Sequence, residues 1–105
     1  MSLSTHVLDA TTGRPAVGVA VTLSQDGGDV VSGVTDDDGR IGALGDDLPP
    51  GTYRLRFDTA AYFAAHAITG FYPEVVITFE ITDVAAHHHV PLLLSPFAYS
   101  TYRGS

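Results

Sequence analysis

Apolar residues recur at every second position along most of this chain, the period of half-buried β-strands rather than helices. Leu3, Thr5 and Val7 alternate with Ser4, His6 and Leu8, and Leu3–Ala10 reads as a first strand. After the turn Thr12–Gly13–Arg14–Pro15, Val17, Val19, Val21 and Leu23 line one face of a second strand. Asp26–Gly27–Gly28–Asp29 turns the chain and Val30–Thr35 returns it. The acidic turn Asp36–Asp37–Asp38–Gly39–Arg40 leads into a short piece around Ile41–Leu44, and Asp46–Gly51 turns again. Thr52–Asp58 is the clearest strand, with Tyr53, Leu55 and Phe57 inward and Arg54 and Arg56 outward. Glu74–Asp83 resumes the alternation with Val75, Ile77, Phe79 and Ile81 inward. One segment breaks the period. Thr59–Ala67 is alanine-rich, follows Asp58 or Thr59 as an N-cap and sets Tyr62 four residues before His66, which predicts one short helix.

The last stretch, His87–Ser105, combines a histidine cluster, an apolar run and a Ser95–Pro96 turn. With period two, His88, Val90, Leu92 and Leu94 share the more apolar face, so they point to the core. His87, His89, Pro91 and Leu93 then face away from it. Residues from Phe97 onward return as a hairpin partner, bringing the final strand beside His89. About eight strands and one helix predict an all-β, two-sheet β-sandwich, a single domain over residues 1–105.

Composition narrows the chemistry. The chain has no cysteine, hence no disulfide framework, thiolate nucleophile or sulfur-ligated metal. The net charge of −7 argues against nucleic acid or an anionic membrane as partner. No apolar run is long enough to span a bilayer and no signal peptide is evident, so a reducing, cytoplasmic setting is expected.

Each polar candidate has a structural role to compete with. His6 lies among apolar residues on a strand, where a lone histidine is usually structural. Arg40 follows three aspartates and can simply neutralise them. Arg54 and Arg56 are expected to pair with Glu74 and Glu80 at the surface, worth under about 1 kcal/mol each. His66 fits a helix surface, and Asp9 fits a turn brace. His87 and His89, two apart on a strand, have a metal-binding spacing, but no third conventional ligand stands nearby and no metal is expected. Ser95 or Ser100 could join a Ser–His–Asp triad on paper, yet no Gly-x-Ser-x-Gly elbow supports it. These residues alone support a sandwich with a metal-free polar site built on histidine and arginine.

Several stretches are nevertheless distinctive: Leu3–Asp9 (LSTHVLD), Gly13–Ala16 (GRPA), the turn ending Asp38–Gly39–Arg40, Tyr53–Phe57, Phe71–Val75, His89–Pro96 (HVPLLLSP) and Tyr99–Ser105 (YSTYRGS). On these the chain resembles the transthyretin-related proteins over its full length, and among them the 5-hydroxyisourate hydrolases. The terminal Tyr-Arg-Gly-Ser is what separates those hydrolases from the hormone carrier of the same fold.

The resemblance implies a transthyretin-like (prealbumin-like) sandwich and ring-opening hydrolysis of 5-hydroxyisourate, the product of urate oxidation, to 2-oxo-4-hydroxy-4-carboxy-5-ureidoimidazoline. Carried over by position, it implies His6, Arg40 and His89 as catalytic residues and Tyr102, Arg103, Gly104 and Ser105 as substrate-binding ones, with no cofactor. His88 replaces a residue that is often tyrosine in the family, on the face turned away from the site. The resemblance also implies that the first strand lies beside the strand of His89. It implies a homotetramer, a dimer of dimers whose sites lie in the channel between the dimers. A ligand-binding carrier without catalysis is the alternative, and a purely structural sandwich is a more distant one. A carrier would favour an apolar or lysine-lined channel over two histidines and an arginine.

Overall fold

The computed structural model describes residues 2–105. In chain order it contains β1 (Leu3–Asp9), β2 (Arg14–Pro15), β3 (Ala20–Gln25), β4 (Gly28–Val34), β5 (Arg40–Ile41) and β6 (Gly51–Phe57). These are followed by α1 (Thr59–Ala65), β7 (Val75–Ile81), β8 (His88–Ser95) and β9 (Ala98–Thr101). One sheet runs β2-β1-β8-β9, with β5 also pairing with β1; the other runs β4-β3-β6-β7. Among the described residues, β1 and β8 form the only parallel strand pair, which brings the two ends of the sequence together.

The two inner faces follow from the alternation. Leu3, Val7, Val90, Leu92 and Leu94 come from one sheet; Val21, Leu23, Tyr53, Leu55, Phe57, Val75 and Ile81 come from the other. All are buried, each large side chain contributing about 1.5–3 kcal/mol by leaving water. Tyr53 keeps its ring in this core because its hydroxyl donates to the Pro49 carbonyl at 2.6 Å. Ile77 and Phe79, expected inward, are only half-buried because β7 is an edge strand.

Three local expectations are corrected. Val17 does not belong to the second strand: it is 45% exposed, and the strand begins at Ala20 after Gly18 turns the backbone at φ 81°. Arg14–Pro15 is a short strand as well as the end of a turn, pairing with Leu8 and Asp9. Arg54 and Arg56 stand across from Thr78 and Val76, while Glu80 faces Thr52.

The helix is two residues shorter than expected. Asp58 caps it by accepting from Ala61 N–H at 3.1 Å, and it ends before Ala67, whose φ is +55°. Tyr62 on its buried face donates to Asp9 Oδ2 at 2.8 Å, docking α1 against the end of β1. The other Asp9 oxygen accepts from Thr11 and Thr12 N–H, the turn brace the sequence predicts. Among the described residues, no helix is long and apolar enough to cross a membrane.

Candidate active site

Parallel pairing of β1 with β8 sets Ser4 beside His89 and His6 beside Pro91. Because side chains alternate across a sheet, Ser4 and His6 project from the same outer face as His87 and His89. His88 points the other way, is buried, and donates from Nδ1 to the Ala86 carbonyl at 3.1 Å.

Arg40 reaches this face through a tight turn. Asp36 Oδ1 accepts from the N–H groups of Asp38 and Arg40 at 2.9 and 3.0 Å. These bonds hold its carboxyl below the usual range, with smaller help from the charges of Arg40 and His6. Gly39 then passes between β1 and the Pro15–Ala16 segment at φ +71°, its carbonyl accepting from Val7 N–H at 2.7 Å. A Cβ there would lie 2.5 Å from the Val7 carbonyl oxygen, so glycine is required on both counts. The result places Arg40 directly opposite His6. Arg40 also lines a cavity on this face.

That cavity, about 310 Å³ and open on one side, is lined by Ser4, Arg40, Ile41, His87, His89 and Ser105, among others. His89 is half-buried in its wall. Burial pushes its imidazole below the ordinary histidine pKa, and the charges of Arg40, His87 and His6 push the same way, against an opposing hydrogen bond that the ring donates to the Ser4 backbone. The ring is therefore a neutral base near pH 7.

The C-terminal residues divide. Gly104 bridges to His89, donating its N–H to the His89 carbonyl at 2.8 Å, and Ser105 lines the cavity. Tyr102 and Arg103 instead line a neighbouring cavity of about 340 Å³ with Ile77, Phe79, Glu80 and His88, at the edge of the sandwich. The two cavities meet at His89. Of the seven candidates, Arg40, His89 and Ser105 line one cavity, His6 stands on the same sheet face without lining it, Gly104 is bonded to His89, and Tyr102 and Arg103 line the cavity beside it.

Sequence reasoning passed over Ser4 and considered His87 only as a metal ligand. Both bond into the site: Ser4 Oγ lies 2.9 Å from His87 Nε2 and 2.7 Å from His89 Nδ1. The signal was present in the outward alternation of Ser4, but its register with His89 was not. Among the described residues, no group of three His, Cys, Asp or Glu is placed to hold a metal ion. A neutral imidazole, a guanidinium and hydroxyls around one open cavity can activate water beside a planar, acceptor-rich ligand.

Comparison with known proteins identifies the family of the whole chain. Residues 3–104 match the HIUase/Transthyretin family. A 5-hydroxyisourate hydrolase of Salmonella dublin is 49% identical over 98% of this chain and 80% of its own length. The structure of Klebsiella pneumoniae 5-hydroxyisourate hydrolase superposes with a TM-score of 0.94 at 42% identity, covering 100% of both chains. Sea bream transthyretin in complex with thyroxine superposes at 0.90 with 36% identity, over 99% of this chain and 95% of the other.

Proposed function

This chain belongs to the HIUase/Transthyretin family, and we propose that it is a 5-hydroxyisourate hydrolase, opening the ring of its substrate at a cyclic amide C–N bond. The observation that carries the reading is His89, held neutral in the wall of a cavity it shares with Arg40 and Ser105. The identity to hydrolases of that name supports it.

In the proposed mechanism, His6 and His89 position a water and take its proton as it attacks the ring carbonyl. The same proton passes to the leaving nitrogen as the C–N bond breaks. Arg40 binds adjacent carbonyl oxygens through its planar fork and stabilises the charge that develops on one of them. Gly104 and Ser105 close the floor, while Tyr102 and Arg103 flank it from the adjoining cavity. No step calls for a metal or cofactor, and activity should persist after exhaustive chelation.

The reading extends to assembly and setting. The catalytic face is open to solvent, with Arg40, His87 and Ser105 exposed, and a second copy laid over it would exclude water. We take the single domain of residues 1–105 to form a homotetramer, a dimer of dimers with the sites in the channel between dimers. A cysteine-free chain suits a cytoplasmic location. Sedimentation equilibrium tests the tetramer and cell fractionation the location.

The activity test is the ultraviolet decay of freshly generated 5-hydroxyisourate with and without protein. Acceleration that disappears in His89→Ala and Arg40→Ala supports hydrolysis. A carrier of the transthyretin kind would leave the spontaneous decay unchanged.

A further inference from the structure

Three side chains outside the proposed catalytic set form a continuous hydrogen-bonded chain that ends on His89. Ser2 Oγ meets His87 Nδ1, His87 Nε2 meets Ser4 Oγ, and Ser4 Oγ meets His89 Nδ1. The two imidazoles lie nearly parallel, 18° apart, with centroids separated by 6.5 Å. Ser4 is only 8% exposed, so its hydroxyl needs partners. Its neighbour Thr5 finds one in the backbone, donating to the Val90 carbonyl at 2.7 Å. Ser4 bonds instead to two rings.

A serine hydroxyl has one proton, so between two ring nitrogens it donates to one and accepts from the other. The direction chosen at Ser4 fixes every link. If His89 Nδ1–H donates to Ser4, then Ser4 donates to His87 Nε2, and His87 Nδ1–H donates to Ser2. His89 Nε2 is then a bare lone pair. The reverse direction puts the proton on Nε2, where neutral His89 could accept nothing from water. Arg40 shares the cavity with His89, and its positive charge favours a lone pair over an N–H turned toward it. His6 from β1 and His87 add charge of the same sign when protonated, while Glu80 and Arg103 border His89 from the adjoining cavity.

We propose that Ser4 is a positioning residue: through Nδ1 it holds His89 in the tautomer whose Nε2 lone pair faces the cavity, with His87 and Ser2 fixing the direction of the chain. The kinetic consequence rests on the hydrolase reading; the tautomer itself does not.

The test pairs 15N NMR of the histidine rings in the full chain with kinetics. In the wild type at pH 7.5, His89 should show a protonated Nδ1 and an unprotonated Nε2. Ser4→Ala should give a mixture of tautomers, a kcat at least about tenfold lower and a nearly unchanged KM. Ser4→Thr keeps the hydroxyl and should restore both. His87→Gln, which breaks the next link, should give an intermediate loss. A wild-type His89 protonated on Nε2 would overturn the proposal without any variant. So would a Ser4→Ala protein that keeps both the tautomer and the rate. Absence of hydrolysis in the wild type would sink the hydrolase reading alone, because the ring spectra still decide the tautomer.

Discussion

Gly104 lies against the imidazole of His89, leaving no room for a side chain between them. A Cβ at Gly104 would stand 3.0 Å from His89 Cγ and 3.1 Å from its Cβ, and nearer still to Cδ2. The backbone bond from Gly104 N–H to the His89 carbonyl fixes this approach. Gly104→Ala must therefore displace either the ring or the tail. A small misplacement of a catalytic group can cost about a hundredfold in rate, and that is the expected loss in kcat/KM. The packed core lies on the other side of the sheet, so the melting temperature should fall by only a few degrees. A wild-type rate in this variant would make the contact incidental to catalysis.

The acidic limb of the pH profile should report His89. Burial, then the charges of Arg40, His87 and His6, lower its pKa from 6.5, so kcat/KM should fall on acidification through an apparent pKa below 6.5. Folding stability should move the same way. The unfolded chain takes up the proton at a higher pH than the folded one, so stability is full above 6.5 and declines as pH drops through the folded-state value. A rate that is flat down to about pH 5 would point to a carboxylate base instead.

Much of this was legible in the alternation. The inward set on β6, and the opposite facing of His88 and His89 on β8, follow from period two alone. The resemblance supplied the β1–β8 neighbourhood, but not its register. That register is set by backbone bonds between residues more than 80 positions apart, so the pairing of Ser4 with His89 left no local trace. The two-residue strands β2 and β5 are too short to show a period. The division of the tail was hidden for a different reason. Tyr102 and Arg103 follow the last β9 residue and turn toward β7, whereas Gly104 is drawn back by its bond to His89.

Tyr62 should matter for stability and not for rate. Its hydroxyl, pushed up to about 12 by burial and then by Asp9, donates to a carboxylate that is only 3% exposed. Tyr62→Phe leaves Asp9 Oδ2 without that donor and should cost about 1.5–3 kcal/mol, the range for hydrogen bonds to charged groups. Urea denaturation measures the loss, and kcat/KM should stay at the wild-type value. A variant as stable as the wild type would mean that the Asp9–Tyr62 bond does not anchor α1.

The tail and His88 make opposite predictions, because they meet His89 and its cavity differently. Deleting Tyr102–Ser105 removes the Gly104 bridge to His89 and the Ser105 wall of the cavity, but no residue of the core cluster. The fold should survive at a cost of about 1–3 kcal/mol, while activity is lost. His88→Tyr changes a buried residue on the opposite face. The cavity of about 340 Å³ beside it, lined partly by Ile77 and Phe79, can take the larger ring. Its rate should stay near wild type. Within the tail, Ser105→Ala should cost more activity than Tyr102→Ala or Arg103→Ala, because only Ser105 lines the cavity shared by Arg40 and His89. Circular dichroism and steady-state kinetics on the five proteins decide the matter. A folded truncation working at the full rate would reduce the terminal residues to a structural role.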